Sequence, residues 1–555
     1  MGSRFVRASA YRHTYGAPAK PENRYDNLKI SASAWDTNLV SASEKYLAVN
    51  WQASGGGAFL VTPLDVTGKL PDLFPLCRGH TAPVLDTAWS PFDDSLVASV
   101  GEDSALAVTR IDDQLLRDAW SGERKDLPDI EPLWRQSAHG RKAGHVRFHP
   151  TADGILATAS NDVKIWDINA QKSVLQSETH ADMVQSFDWD WTGTTYATTC
   201  KDKKLRLFDP RTGKQAVTVA DSHSGVKSSR AIFLGSLDRI VTTGFSRTSD
   251  RQAFLWDSRD LTKGPIKQMT IDQSSGMLMP FFVAGNNVLF LAGKGDGNVR
   301  MYELADDELF YLSDYSSPQP QRGMCFAPAR AVNPAQAEIG RAYKAVGSTV
   351  EPISFIVPRK SDAFQADLFP PAPSDQPALS SSEWLNGKTA PPVLIDMETR
   401  QVSSSTSEQL KPYKATTTAA PAAAAKAPEP TPAPAPAPVE QKKVESSPPP
   451  PAPSAPEPKK EVEQKREEQA PAAERSVPAL APAVGASSLS SSNGASSSSP
   501  APAAPTPVQQ SNGKHEEELA DLREENEQLR SELAEKDAHI RELELKLERI
   551  RTAMA

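Results

Sequence analysis

The feature that most constrains this chain is a repeated strand ending. The stretches "NDVKIWDI", "KDKKLRLFDP", "SDRQAFLWDS" and "GDGNVRMYEL" each hold an Asp in a turn, then alternating apolar residues, then an aromatic and an acid. The aromatics are Trp166, Phe208, Trp256 and Tyr302, spaced by 42, 48 and 46 residues. Strict alternation marks half-buried strands. A period of roughly 40–50 residues marks four-stranded units repeated around a ring, since one such unit cannot bury both its faces alone.

A second mark lies upstream in these units. "RGH", "SAH", "ETH" and "DSH" place His80, His139, His180 and His223 ahead of a strand-like run. Asp103, Asp202, Asp250 and Asp296 occupy the tight-turn position. A His bonded to the turn Asp would tie the outer part of a blade to its inner hairpin, because either group left unpaired in the interior is destabilising. Together these are marks of WD40 repeats. Departures are visible as well. The first unit has Thr109 where the aromatic is expected. In the second, Ser160 holds the usual Asp offset and Asp162 sits closer to Trp166, so either the turn is shortened or Ser160 substitutes. The fifth unit lacks the His.

These five units cover about residues 77–305. "YLAVNWQASGGGAFLVTPL" (46–64) reads as a hairpin around glycines, and 306–357 closes on "PISFIVP". The expected fold is therefore all-β, a seven-bladed WD40 β-propeller over residues 1–357. A ring leaves no edge only if its ends join, so an N-terminal strand is expected to complete the last blade. That places part of the strand in the arm at residues 4–15, which runs into the basic, aromatic stretch "YRHTYGAP" (11–18).

Composition changes sharply after residue 400. Many of the 47 prolines fall within 401–512, a Pro/Ala/Ser-rich segment that cannot bury enough apolar area to fold and reads as a disordered linker. The run Pro448–Pro451 could meet an SH3-type groove, and the mixed run "KKEVEQKREEQ" a microtubule; a plain solvated spacer is the simpler reading of both. Residues 513–555 then switch to a heptad. Its a positions are Leu519, Asn526, Leu533, Ile540, Leu547 and Met554, and its d positions Leu522, Leu529, Lys536, Leu543 and Ile550. This predicts an α-helical coiled coil and self-association. Asn526 at a favours a defined register and often two strands.

The net charge of −9 argues against bulk nucleic-acid binding. Three well-separated cysteines, Cys77, Cys200 and Cys325, suggest thiols in a reducing compartment. The most apolar stretch, "GMLMPFFVAGNNVLFLAG", is broken by Pro280, Asn286 and Asn287 and reads as two strands and a turn, not a membrane span. No catalytic constellation emerges. His139, His145 and His149 cluster in "HGRKAGHVRFH" without an acid or Cys at matching spacing, and "GKGDGN" (293–298) lacks the order of a phosphate loop. No enzyme activity, metal or cofactor is expected.

Finally, "YRHTYG", "ASGGGAFLV", "GHTAPVLDTAWSP", "CKDKKLRLFDPR", "TTGFSR", "PQRGM", "PRKSDAFQADLFP" and "EWLNG" resemble the coronins, actin-associated WD40 proteins, in particular the fungal type. The resemblance runs from residue 3 to 400 and resumes in the coiled coil. It implies an extension, 358–400, packed along one face of the propeller. It also implies binding to filamentous actin and to the Arp2/3 complex, with crosslinking through the coil, in the cytoplasm at cortical actin patches. The Arg of the family's aromatic-Arg-His stretch is a main actin-binding determinant, and here it is Arg12; Lys20 and Arg24 join it on charge alone. The family's coil often carries an Arg–apolar–x–x–apolar–Glu trimer motif. The matching "HIRELE" has His539 in place of Arg, leaving dimer and trimer open. The competing reading is a WD40 adaptor for another cytosolic cargo, such as a trafficking or microtubule-associated partner.

Overall fold

The computed structural model describes residues 7–402 except 34, 125 and 362, together with four helical positions, Glu527, Ser531, Ala534 and Ala538. Those four all fall on b or f places of the predicted heptad. The a and d positions, and the linker reading beyond residue 402, lie outside the described residues.

Seven antiparallel sheets form the ring, in chain order after the N-terminal arm. The first strands of the seven blades are Val40–Ala42, Val84–Trp89, His145–Phe148, Val184–Trp189, Arg230–Phe233, Leu278–Val283 and Gly323–Phe326. Each touches the first strand of the next blade, and the seventh touches the first, so these strands line a closed central channel. The second and third strands are the most deeply buried, while fourth strands such as Lys172–Gln176 and Thr218–Asp221 hold only exposed and half-buried residues. This is the burial expected when sheets pack face to face around an axis.

Closure uses the arm. Tyr15–Pro18 pairs antiparallel with Thr349–Ile356, with Tyr15 opposite Ile356 and Pro18 opposite Ile353. Tyr25 pairs further along the same strand, opposite Val350. The last blade therefore takes its outer strand from the start of the chain. The predicted strand exists, but at 15–18; residues 10–13 just before it form a turn.

The His–Asp marks resolve unevenly. His80 Nδ1 donates to Asp103 at 3.0 Å and its Nε2 accepts from Ser99 at 2.8 Å. In the next blade Trp166 Nε1 donates to Thr158 Oγ1 (2.9 Å), that hydroxyl donates to His139 Nε2 (2.8 Å), and Nδ1 donates to Asp162 (2.8 Å). The turn is thus shortened and Asp162 is the partner, while Ser160 donates to the Lys142 carbonyl.

Two expected contacts do not form. Asp202 is held by the Arg206 guanidinium four residues on, and His180 Nδ1 turns to the Asn161 carbonyl at 3.2 Å. Asp250 closes a wider turn, Ser246–Asp250, whose Ser246 and Thr248 hydroxyls donate to it. His223 keeps only its link to Thr242 at 3.0 Å, which also accepts from Trp256 Nε1 at 2.9 Å. In the blade without a His, a buried arginine replaces it: Arg251 reaches Asp296 at 2.6 Å, and Ser274 donates to the same carboxylate.

Residues 358–402 cross the face carrying the turns between first and second strands. Their anchor is Trp384, fully buried, whose Nε1 donates to the Gly193 carbonyl at 3.1 Å. Its ring packs edge-on against His149 and Trp189. A capping box at Ser380 and Glu383 starts the short helix Ser381–Leu385 that presents it. Further on, Arg400 returns to Glu44 of the first blade at 2.7 Å.

Candidate functional site at the N-terminal arm

The arm is held by one aromatic and a tight turn. Tyr11 is buried; its hydroxyl donates to the Asp367 carbonyl at 3.4 Å and accepts from Asn286 Nδ2 at 3.1 Å. Burial, the largest cause, pushes its pKa up to about 12. Asn286 also donates to the Leu368 carbonyl at 2.6 Å, so one amide joins arm, sixth blade and extension. The turn closes by bonds from Thr14 N (3.0 Å) and Oγ1 (2.7 Å) to the Tyr11 carbonyl. Ser313 then donates to the Thr14 carbonyl at 2.5 Å. Of the three aromatic residues flanking Arg12, Tyr11 does the holding, while His13 and Tyr15 are exposed.

The cations of the arm divide in two. Arg7 makes a bidentate pair with Glu303 at 2.6 and 3.2 Å and lies over the Phe310 ring. Arg24, taken as a binding cation on charge alone, is already paired: its guanidinium sits 2.7 Å from Glu351, a carboxylate only 8% exposed, and donates to the Ala19 carbonyl. Arg12 is half-buried and donates to the Arg7 carbonyl, but meets no carboxylate among the described residues. Lys20 is exposed and likewise without an acidic partner there. Arg12 and Lys20 therefore keep charge and donors directed elsewhere than an internal acid. A groove of about 560 Å³ opens beside the closing strand, with Tyr15, Arg24, Tyr315 and Glu351 in its walls; neither Arg12 nor Lys20 lines it.

The other sequence candidates carry structural bonds. His149 Nδ1 accepts the backbone N–H groups of Thr151 and Ala152, and its Nε2–H donates to the Gly193 carbonyl at 2.8 Å. His145 lies 3.9 Å from Asp86 at the channel wall. All three cysteines are buried, and burial pushes the thiols of Cys77 and Cys325 up. Among the described residues no helix is long and apolar enough to cross a membrane.

Sequence reasoning did not find Asn286 or Trp384. Asn286 was read only as a turn residue, and nothing local signals that its amide binds two distant segments. Trp384 had a signal, the capping box of "SSSEWL" ahead of a lone Trp, but its burial depends on a surface offered by blades 3 and 4.

Comparison with known proteins agrees with this geometry. A profile for a domain of unknown function (DUF1899) matches residues 4–69, which include the arm, and a WD40-repeat profile matches 350–392. The chain is 48% identical over 425 residues to Coronin-like protein crn1 of Schizosaccharomyces pombe, covering 76% of this chain and 69% of that protein. Against the Coronin-like protein of Saccharomyces cerevisiae it is 44% identical, covering 75% of this chain and 65% of that one. Against Coronin-A of Dictyostelium discoideum it is 43% identical, covering 74% and 90%. The crystal structure of the WD40 domain of Toxoplasma gondii coronin superposes with a TM-score of 0.64 at 29% identity, over 70% of this chain and 97% of that one. With relatives at 43–48% identity over about three quarters of this chain and a matching solved structure, the chain belongs to the coronin family.

Proposed function

We propose that this protein binds actin filaments through its N-terminal arm, crosslinks them by self-association and regulates the Arp2/3 complex at cortical actin in the cytoplasm. One observation carries the filament contact. Arg12 sits half-buried in a turn fixed by Tyr11 and Thr14, bonded to the Arg7 carbonyl, and no acid of the described chain neutralises it. A guanidinium in that state seeks a carboxylate, and its planar fork can hold both oxygens at once. A filament surface rich in Asp and Glu supplies such groups, and Lys20 adds to the attraction. Arg24, committed to Glu351, holds the closing strand in place.

A contact built on one or two charges is weak and salt-sensitive. Coupling two or three propellers through residues 513–555 makes the later contacts intramolecular and raises avidity. The test is co-sedimentation of the full chain with filaments across a salt series. Pelleting that weakens steadily with salt is expected. A protein that stays in the supernatant at low salt removes the filament reading and leaves the adaptor for another cargo.

A further inference from the structure

A second site lies at the channel mouth formed by the turns between second and third strands and the connections into each first strand. It faces away from the arm, because Tyr15 pairs with Ile356, at the opposite end of the third strand. The chain covers part of this mouth itself with the segment around Trp35 and Asp36. The Asp36 carboxylate accepts from Ser228 Oγ at 2.5 Å and from Lys294 Nζ at 3.3 Å. Lys294 also donates to the Trp35 carbonyl at 3.0 Å, and Arg230 donates to that of Asp36. The Lys142 ammonium lies 4.3 Å from the centre of the Trp35 ring. Behind that ring the fit is close: a Cβ at Gly144 would stand 2.9 Å from it.

Beside this segment a cavity of about 530 Å³ stays open. Four lysines and two aspartates reach its wall. Lys294 pairs with Asp36, and Lys201 lies 3.8 Å from Asp182. The other two lysines have no carboxylate among the described residues: Lys142 rests on the Trp35 ring, and Lys227 lies over Phe245 and donates to the Ser275 carbonyl. Beneath them Arg230 is only 7% exposed, yet its Nε–H has no partner. The remaining wall mixes the polar Gln185, Ser228 and Ser275 with apolar side chains from Met183, Phe245, Met277 and the strongly exposed Val226.

We propose that this mouth binds an acidic, aromatic-containing segment of a partner protein, in the manner that it already holds Trp35 and Asp36. The two uncompensated lysines supply the charge, the cavity volume suits a few residues, and the apolar side chains of Met183, Val226, Phe245 and Met277 suit an aromatic side chain better than a sugar–phosphate backbone. The proposal does not rest on the filament reading, since Arg12 lies on the other face.

The test uses the full chain and a fluorescein-labelled peptide, acetyl-Gly-Glu-Trp-Asp-Glu-Gly, read by fluorescence anisotropy. The wild type is expected to bind in a salt-dependent way, and the Gln/Asn counterpart of the peptide to bind at least about tenfold more weakly. Lys142→Glu with Lys227→Glu should abolish binding, and the milder Lys142→Gln with Lys227→Gln should weaken it about tenfold even if the charge-reversed pair folds poorly. Arg12→Asp should bind the peptide like the wild type. The proposal is overturned by no binding to the wild type, by equal binding of the amide peptide, by unchanged binding to the glutamine pair, or by a single-stranded oligonucleotide that binds through these lysines where the peptide does not.

Discussion

Mild acid should weaken this propeller before most of its carboxylates titrate. The reason is a set of histidines held neutral in the interior. Burial pushes the His149 pKa down to about 3, and Arg211 adds to the shift. Burial likewise pushes His223 down to about 4, and His145 and His180 move the same way. In the unfolded chain each returns to about 6.5. Below that pH the unfolded state takes up protons that the folded state refuses, so the stability these residues confer is complete above about 6.5 and is lost progressively as pH falls. At pH 5 each loses about 2 kcal/mol, hence about 4 kcal/mol for His149 and His223 together. Asp188 works in the opposite sense. Burial raises its carboxyl to about 6, so on acidification it is protonated in the folded state first and returns about 1 kcal/mol at pH 5. The net loss from these three is about 3 kcal/mol, a large part of a typical folding stability of about 5–15 kcal/mol. Urea unfolding of the full chain, followed by tryptophan fluorescence at a series of pH values, should show the midpoint falling between about pH 6.5 and 5. The variant His149→Asn with His223→Asn, though less stable throughout, should lose a clear part of that slope, with His145 and His180 supplying the rest. A midpoint that is flat over this range, or a double variant with the wild-type slope, refutes the reasoning.

Trp384→Ala should destabilise the ring by about 3–5 kcal/mol, because it leaves a cavity against His149 and Trp189 and removes one of the two donors to the Gly193 carbonyl; limited proteolysis should then cut within 374–402 first. Arg24→Ala leaves the Glu351 carboxylate without its partner and should cost about 1–3 kcal/mol in unfolding experiments, with filament pelleting at low salt unchanged. Deleting residues 513–555 should abolish filament bundling, seen by light scattering and low-speed sedimentation, while the circular dichroism of the ring is retained.

The ring was legible because its signals are local and repeated. Alternation and the period of Trp166, Phe208, Trp256 and Tyr302 suffice for blades, and the hairpin at 46–64 marks the first blade. What escaped the sequence depends on competition between neighbours. His180 and Asp202 stand in the same pattern as His80 and Asp103, but Arg206 lies four residues from Asp202 and captures it. The pattern contains no term for such a rival. The arm behaves similarly. Its excess of cations was visible, but which of them remain without an acid depends on Glu303 and Glu351, roughly 300 residues away in sequence. Arg7 and Arg24 are thereby set apart from Arg12 and Lys20, a distinction that charge counting cannot make.

The central claim is that the turn closed by Tyr11 presents Arg12 to a filament. Its most direct test is co-sedimentation of Arg12→Asp beside the wild type at low salt, with the unfolding midpoint of both measured in parallel. The account predicts that the wild type pellets and Arg12→Asp stays in the supernatant with its midpoint unchanged. Equal pelleting of the two would contradict it.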